Sequence, residues 1–501
     1  MKWAILWRTI VLSALGKTMY PYCRHLRELD LRDLGDLLDR LQDNKFKKVA
    51  KQFWAGDLAR FRHVFTDTPV KYRVGRLDIK KILLSIGDVL TQQAPLLEGL
   101  SEPSSSDVVS SALPLWASRL SHLRELEFWD GKALADETLR NLVHAHCRNL
   151  SELRFHHSTG DDADHNLAAL INGMPENTLT RFENISSSGI GAETLLALNR
   201  HGRSLTSLKL GLDEDGILAL KYLQACTQLR TLAITALRPS IDLKATQNDV
   251  FLEIVEWLKQ CDLLNDVTFD GLISAPDLAL PILLNKKVSL RDLQIHAKEG
   301  SLYVVKDHHD FHRALGQQHG LRSLWLRADP ETISRDDQEI LIDSFCHLPK
   351  LEELNLVRIS DYFSDQQITT LAEHLTNLTH LTVAGYGTSD AVWDSLARLD
   401  KLKTLTFGGI TTFTADGLLH FISQLGPGNA ELAITVDNAD PDSMITDEVQ
   451  DKVRDAIIAK VGGRFEYQPL RGKQQRRQLC MNATDNVPDP NVPEFDDSGS
   501  D

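Results

Sequence analysis

The stretch that decides the fold is residues 205–210, Leu-Thr-Ser-Leu-Lys-Leu, which recurs in similar form at residues 351–356, Leu-Glu-Glu-Leu-Asn-Leu. Leucine occupies the first, fourth and sixth positions of both stretches. Further copies of this L-x-x-L-x-[L/I/F/V] pattern begin at Leu26, Leu123, Leu150, Leu229, Leu264, Leu290, Leu321, Leu378 and Leu402, with weaker copies at Leu97, Leu179 and Leu432. A pattern that recurs in this way indicates an internally repetitive chain.

Each copy of the pattern predicts a short strand followed by a helix. In an extended chain the fourth and sixth residues face one side and the residues between them face the other. From Leu123 to Leu402 successive starts lie 24 to 35 residues apart, which leaves room for a helix. One such segment carries Ile368, Leu371 and Ala372 at helical spacing, and Ser364 with Gln367 predicts a capping box at its start.

Strand-helix units of this kind bury their apolar sides only by stacking on one another. The sequence therefore predicts an α/β fold, a leucine-rich-repeat solenoid shaped like a horseshoe, with parallel inner strands, outer helices and about 13 repeats. A solenoid presents a long concave face to a macromolecule, whereas a small-molecule enzyme needs one closed pocket.

The periodicity also predicts where the repeat array begins and ends. We assign residues 1–25 to an N-terminal capping helix and residues 26–462 to the repeat array, with an irregular insertion at about 32–95 that contains the basic stretch 45–51. Residues 463–501 lack core-forming residues and run from basic to acidic, so we expect a disordered tail.

The first fifteen residues are apolar enough to suggest two alternatives. Arg8 interrupts the apolar run, which favours a capping helix over a signal peptide. The apolar side of that helix is expected to comprise Ile5, Leu6, Ile10, Leu12 and Leu15. Secretion stays open as the alternative, and it predicts glycosylation at Asn149 or Asn377.

Composition narrows the choice of partner. The chain has 70 acidic and 55 basic residues and a net charge of -15, which argues against nucleic acid and favours a protein partner.

Four cysteines precede a motif leucine by three residues: Cys23, Cys147, Cys226 and Cys261. Because they recur at the same position, we expect buried free thiols at helix ends. Free thiols favour a cytoplasmic or nuclear location, and we expect no membrane association.

The motifs of common enzyme classes do not occur in the chain. The sequence contains no Gly-rich phosphate loop, no G-x-S-x-G, no H-E-x-x-H and no C-x-x-C. We therefore do not expect an enzyme, a metal site or a cofactor.

Function is instead expected at the fifth motif position, which faces outward from each strand. Trp325 is the main candidate anchor, because leucines on both sides should force its indole outward. The alternative is that the indole only packs against an adjoining strand or loop. The full set of candidate protein-binding residues is Trp325, Arg322, Arg327, Gln294, Asn355, Glu127, Arg154 and Lys209. Gln294 and Asn355 are expected on the strands that adjoin Trp325.

The cysteine before the motif leucine, the repeat length and the segment 7–31 resemble the leucine-rich-repeat part of fungal F-box proteins, a likeness that covers about residues 7–440. In that family the F-box recruits a Skp1-type adaptor and the repeats hold a target for ubiquitination. The L-P-x-E-[I/L] motif of the F-box is not present. The resemblance thus implies the substrate-recognition part of an SCF ubiquitin ligase receptor without its F-box, through loss of the domain or truncation of the chain. The alternative is a GTPase-activating or other regulatory leucine-rich-repeat protein with no role in ubiquitination.

Overall fold

The computed structural model describes residues 2–66, 75–102, 107–158, 160, 162–186, 189–238, 242–297, 300, 302–329, 334–441 and 444–470. The chain divides into two compact units, Met1–His296 and Ala297–Asp501.

The first unit alternates strands with helices. Its strands are β1 (Glu28–Asp30), β2 (Gly99–Ser101), β3 (Glu125–Asp130), β4 (Glu152–His157), β5 (Arg181–Asn184), β6 (Ser207–Leu212), β7 (Thr231–Ala236), β8 (Asp266–Asp270) and β9 (Asp292–His296). Its helices are α1 (Lys2–Ala14), α2 (Leu31–Arg40), α3 (Lys47–Phe53), α4 (Ile79–Gln93), α5 (Val108–Trp116), α6 (Glu137–His146), α7 (Ala163–Gly173), α8 (Ala192–Leu198), α9 (Glu214–Ala219), α10 (Leu243–Thr246), α11 (Asn248–Lys259) and α12 (Ala275–Leu284). Each strand pairs in parallel with the next from β1 to β9.

The second unit has the same alternation. Its strands are β10 (Tyr303–Val304), β11 (Ser323–Leu326), β12 (Ala328–Asp329), β13 (Glu353–Asn355), β14 (His380–Val383), β15 (Tyr386–Thr388), β16 (Thr404–Phe407), β17 (Ile410–Thr411), β18 (Ala433–Ala439) and β19 (Arg464–Pro469). Its helices are α13 (His309–Leu315), α14 (Arg335–Cys346), α15 (Asp365–His374), α16 (Trp393–Leu396), α17 (Ala415–Gln424) and α18 (Asp447–Val461). The main ladder runs β11-β13-β14-β16-β18-β19, all parallel.

The fourth motif position builds the core of both units, because residues at that position are matched across neighbouring strands. The buried ladder of the first unit comprises Leu29, Leu100, Leu126, Leu153, Phe182, Leu208, Leu232, Val267 and Leu293. That of the second unit comprises Leu324, Leu354, Leu381 and Leu405, and Ile434 and Phe465 continue it in register on β18 and β19. The predicted α/β class, with parallel strands alternating with helices, is confirmed. The predicted capping box is also present, since the Gln367 side chain accepts from the Ser364 amide at 2.8 Å.

The cysteines at the repeated position are buried, as the pattern predicted. Cys226 and Cys261 are completely inaccessible, and burial raises the pKa of each thiol to about 12. All five cysteines within the described residues are free thiols. Their role at the helix ends is packing.

The irregular insertion forms a single connection between neighbouring strands. β1 pairs directly with β2, so α2, α3 and α4 all lie on the excursion that joins them.

Helix α1 exists, but its predicted apolar side is wrong. Ala4, Trp7 and Val11 are buried, whereas Ile5 and Leu6 are 58% and 50% exposed. The helix carries apolar residues on all of its sides, so periodicity does not fix which side faces inward. Packing against α3 and α4 decides it.

The strands continue past residue 462, where the sequence pattern predicted that the array ends. β19 pairs with β18, and Phe465 and Tyr467 alternate into the core. The remaining tail, residues 471–501, lies outside the described residues. No helix in the described ranges is long and apolar enough to cross a membrane.

Candidate protein-interaction face

The fifth motif position forms one row of register-matched side chains in each unit. The first outward row comprises Asp30, Ser101, Glu127, Arg154, Glu183, Lys209, Ala233, Thr268 and Gln294. The second outward row comprises Trp325, Asn355, Thr382 and Thr406 at this position, and Thr435 and Glu466 continue it in register on β18 and β19. Six of the eight predicted residues lie in these rows; Arg322 and Arg327 lie immediately outside β11.

The first outward row is centred on the Glu127 carboxylate. Its Oε1 accepts from Arg32 Nη1 at 2.6 Å and lies 2.9 Å from His156 Nε2, while its Oε2 accepts from Arg154 Nη1 at 3.1 Å. The Glu127 side chain is completely buried beneath these groups. A buried carboxylate is tolerated only when it is paired and hydrogen-bonded in this way.

The ion pairs continue along the row through Glu183. Arg154 Nε donates to Glu183 at 2.9 Å, and Lys209 Nζ lies 3.3 Å from the other carboxylate oxygen. Burial tends to raise the pKa of Glu183, but the positive charges of Lys209 and Arg154 lower it by more. The pKa of Glu183 therefore lies below its ordinary value. Positive and negative side chains thus alternate along neighbouring strands and neutralise one another.

The expectation that Glu127 is exposed is wrong, and its cause is Arg32. This arginine lies on α2, outside every repeat, and Asp30 holds its guanidinium at 2.9 Å. Together with Arg154 and His156 it covers the carboxylate. Nothing in the motif indicates that a helix of the insertion supplies this cover, so sequence analysis missed Arg32.

A second buried carboxylate, also missed by sequence analysis, lies at the end of β2. Glu102 is 1% exposed and accepts from the backbone amides of Trp129 at 2.8 Å and Val109 at 2.9 Å. Burial raises the pKa of Glu102 to about 7, against the opposing effect of these amide donors. Glu102 therefore fastens the end of β3 to the start of α5. The Trp129 ring in turn stacks on His156, with centroids 4.7 Å apart.

The second outward row begins with Trp325. Its side chain is 38% exposed, while Leu324 and Leu326 on either side are buried. Asn355 is matched with it on β13, as predicted. Gln294 belongs to the first unit, where its amide oxygen lies 2.9 Å from His296 Nε2.

The two predicted arginines beside Trp325 differ in their surroundings. Arg322 pairs with Glu352 at 3.1 Å, and both side chains are about half exposed. Arg327 is partly buried, and its Nε has no hydrogen-bond partner among the described residues. Arg322 is thus already ion-paired, whereas the Nε of Arg327 is buried and is not accessible at the surface.

A further group of residues lies just after the motif copies of the second unit, and it could not be recognised from the sequence. Arg358 adopts a left-handed backbone, with φ of 69°, and its Nε likewise lacks a partner within the described ranges. Burial raises the pKa of Asp361, and the charges of Arg358 and Arg327 oppose this rise. Tyr362 and Tyr386 are exposed, with ring centroids 6.4 Å apart. Arg358, Asp361 and Tyr362 follow the end of β13, and Tyr386 begins the short strand β15; the repeat pattern carries no signal at either place.

The described residues contain no group of three or more histidine, cysteine, aspartate or glutamate side chains that could hold a metal ion.

Comparison with known proteins adds a remote structural likeness. No family model matches the chain, and no curated protein matches it. Among solved structures it is similar to the crystal structure of the Rad7 and Elc1 complex in yeast, with 13% identity over 89% of this chain and 90% of that chain, and a TM-score of 0.39.

Proposed function

We propose that this chain is a protein-interaction scaffold whose second outward row binds a segment of a partner protein, with Trp325 as the anchor. The observation that carries the proposal is the exposed indole on a strand face between two buried leucines. Tryptophan in such a setting is typical of the few residues that supply most of the binding energy at protein interfaces.

The neighbours of Trp325 support this role. Asn355, Thr382, Thr406 and Thr435 continue the row with short, neutral side chains. A partner segment that covers them desolvates no charge, and their hydroxyl and amide groups offer hydrogen bonds. Arg327 and the exposed Tyr362 and Tyr386 supply the residue types that are enriched at interfaces.

In this proposal the first outward row contributes less binding energy. Arg154 and Lys209 remain partly exposed, at 23% and 46%, but their charges are neutralised by Glu127 and Glu183. They would guide the orientation of a polar partner segment, and Glu127 would act only by holding Arg154 in place.

The finer proposal is that the partner is a substrate of an F-box-type ubiquitin ligase, and that the chain works in the cytoplasm or nucleus. It rests on the resemblance of segment 7–31 and of the cysteine-leucine spacing to F-box proteins. A Skp1-type adaptor would then be a second partner if an F-box accompanies this chain.

The first experiment is affinity purification with cross-linking, followed by measurement of Kd with the purified, identified partner. Trp325→Ala should weaken binding strongly. Ile458→Ala removes an exposed apolar side chain of α18, which is 57% exposed, and should leave Kd unchanged. Equal affinities for the wild type and both variants would contradict the anchor role of Trp325.

The finer proposal has its own test. Co-expression with a Skp1-type adaptor, with and without an F-box fused before residue 1, should give a complex only for the fusion. The fusion should then support ubiquitination of the identified partner in a reconstituted ligase. A bound but unmodified partner would leave a scaffold without a role in ubiquitination.

A further inference from the structure

A groove of about 720 Å³ lies in the first unit, in the excursion that joins β1 to β2, and none of its described lining residues belongs to the first outward row. We call it the basic groove and define it by its cationic lining: Lys47, Lys48, Lys51, Arg62 and Arg76. Its volume lies within the range of small-molecule binding sites.

Helix α3 forms one wall of the basic groove. Lys47, Ala50, Lys51 and Trp54 line it at spacings of three and four residues, which places them on one face of the helix. A stripe at this spacing normally packs into a core. Here Trp54 is buried, while both lysines are exposed, so the stripe lies partly in the core and partly along an open groove.

The opposite wall is a fixed backbone segment. An antiparallel bridge joins Val64 to Leu77, and the Phe65 amide donates to Arg76 O at 2.9 Å. The Gln42 side chain accepts from the Leu77 amide at 3.1 Å and so ties this segment to the end of α2. These bonds fix the backbone from which Arg62 and Arg76 extend.

The charge of the groove is strongly unbalanced. Asp43 is the one acidic residue within its described lining, and its carboxylate accepts from the Lys45 amide at 3.0 Å. None of the five cationic side chains is ion-paired with a residue that the structure describes, although Arg76 acts electrostatically on Asp39. This local concentration of positive charge contrasts with the net charge of -15 of the whole chain.

We propose that the basic groove binds a compact ligand that carries two or more phosphate groups. Lys47 and Lys51 repel one another at this helical spacing, and an anion between them would relieve the repulsion. Lysine ammonium groups and arginine guanidinium groups together favour phosphate oxygens, the latter with paired donors. A single phosphate would leave most of the five charges uncompensated.

A nucleic acid fits these observations less well. Its phosphates extend over a long, regular backbone and need a correspondingly long basic surface, whereas these five cations are confined to one groove of an acidic protein.

Isothermal titration of the full chain with sodium tripolyphosphate tests the proposal. The double variant Lys47→Gln, Lys51→Gln should weaken binding at least tenfold. Lys47→Arg, Lys51→Arg should retain it, since the charges remain. Lys452→Gln, Lys460→Gln makes the same charge change on α18 and should alter Kd less than twofold. Circular dichroism verifies that each variant is folded.

Three results would overturn the proposal: no binding of tripolyphosphate by the wild type, equal weakening in the α18 variant, or orthophosphate binding as tightly as tripolyphosphate. Vesicles that contain a bisphosphorylated phosphoinositide distinguish the sources of the ligand. Recruitment that the groove variant abolishes would identify a lipid headgroup. Tripolyphosphate binding without recruitment would identify a free ligand.

Discussion

The two outward rows occupy the same motif position but have opposite character. In the first row Glu127, Arg154, Glu183 and Lys209 bind one another, and the central carboxylate is buried. In the second row Trp325 is exposed beside short, neutral side chains. Charged side chains on neighbouring strands neutralise one another in the first row, whereas the second row combines a partly exposed aromatic side chain with short, neutral ones. The same backbone pattern thus builds a self-contained face and an available one.

Buried titratable groups also distinguish the two units, because they make the free energy of unfolding depend on pH. The largest expected effect comes from His312 in the second unit. Its side chain is inaccessible, and burial, reinforced by His308 and His309, lowers its pKa to about 3. Between pH 6.5 and 3 the unfolded chain gains a proton that the folded chain does not. The free energy of unfolding should therefore fall by about 1.4 kcal/mol per pH unit, about 4 to 5 kcal/mol in all.

Urea denaturation from pH 7 to 3, monitored in the wild type and His312→Asn, measures this contribution. The difference between the two proteins should grow smaller as the pH falls, because only the wild type loses stability through this group. A constant difference across the range would contradict the prediction.

Removing the carboxylate at the centre of the first row should have the next largest effect. Glu127→Ala leaves Arg32 and Arg154 without their shared partner, and breaking a buried ion pair costs about 3 to 5 kcal/mol. Both arginines are partly exposed and regain water, so we expect about 3 kcal/mol in chemical denaturation. Asn355→Ala, the matched control in the second row, should cost less than about 1 kcal/mol. A similar loss in both variants would abolish the distinction between the rows.

Glu102 in the first unit should make the free energy of unfolding depend on pH in the direction opposite to that of His312. Its pKa is raised to about 7 by burial, so the folded chain retains a proton that the unfolded chain loses above pH 4.5. This contribution is fully present below pH 4.5 and is lost as the pH rises to about 7, by up to about 3 kcal/mol. Glu102→Gln keeps an acceptor for the Trp129 amide and removes the ionisable group. Its unfolding free energy should vary less between pH 4.5 and 7 than that of the wild type, and an unchanged slope would exclude Glu102.

The smallest expected effect on the free energy concerns binding. Trp325→Ala should weaken the affinity for the partner by about 2 kcal/mol, which is about thirtyfold in Kd. The same loss from Lys209→Ala would mean that the first row contributes equally and would remove the difference between the two faces. Titration of the purified partner against the wild type and both variants measures these changes in Kd.

Much of this fold could be predicted from the sequence because the repeat pattern is local. A strand alternates its side chains, so the leucines at the fourth position had to face inward and Trp325 had to face outward. Arg358 and Tyr386 could not be found in the same way, since both lie beyond the six-residue motif, where no periodicity constrains the chain. The apolar side of α1 was predicted wrongly, because Trp7 and Ile5 are equally apolar and only their neighbours distinguish them.

The sequence by itself determined the parallel strands, the alternating helices, the buried cysteines and the outward position of Trp325, because each follows from residue spacing along a few consecutive residues. Only the tertiary structure decided that Arg32 buries Glu127, that Glu102 joins two elements and that five cations line one groove. These features depend on contacts between segments far apart in the chain, and such contacts leave no periodic trace in the sequence.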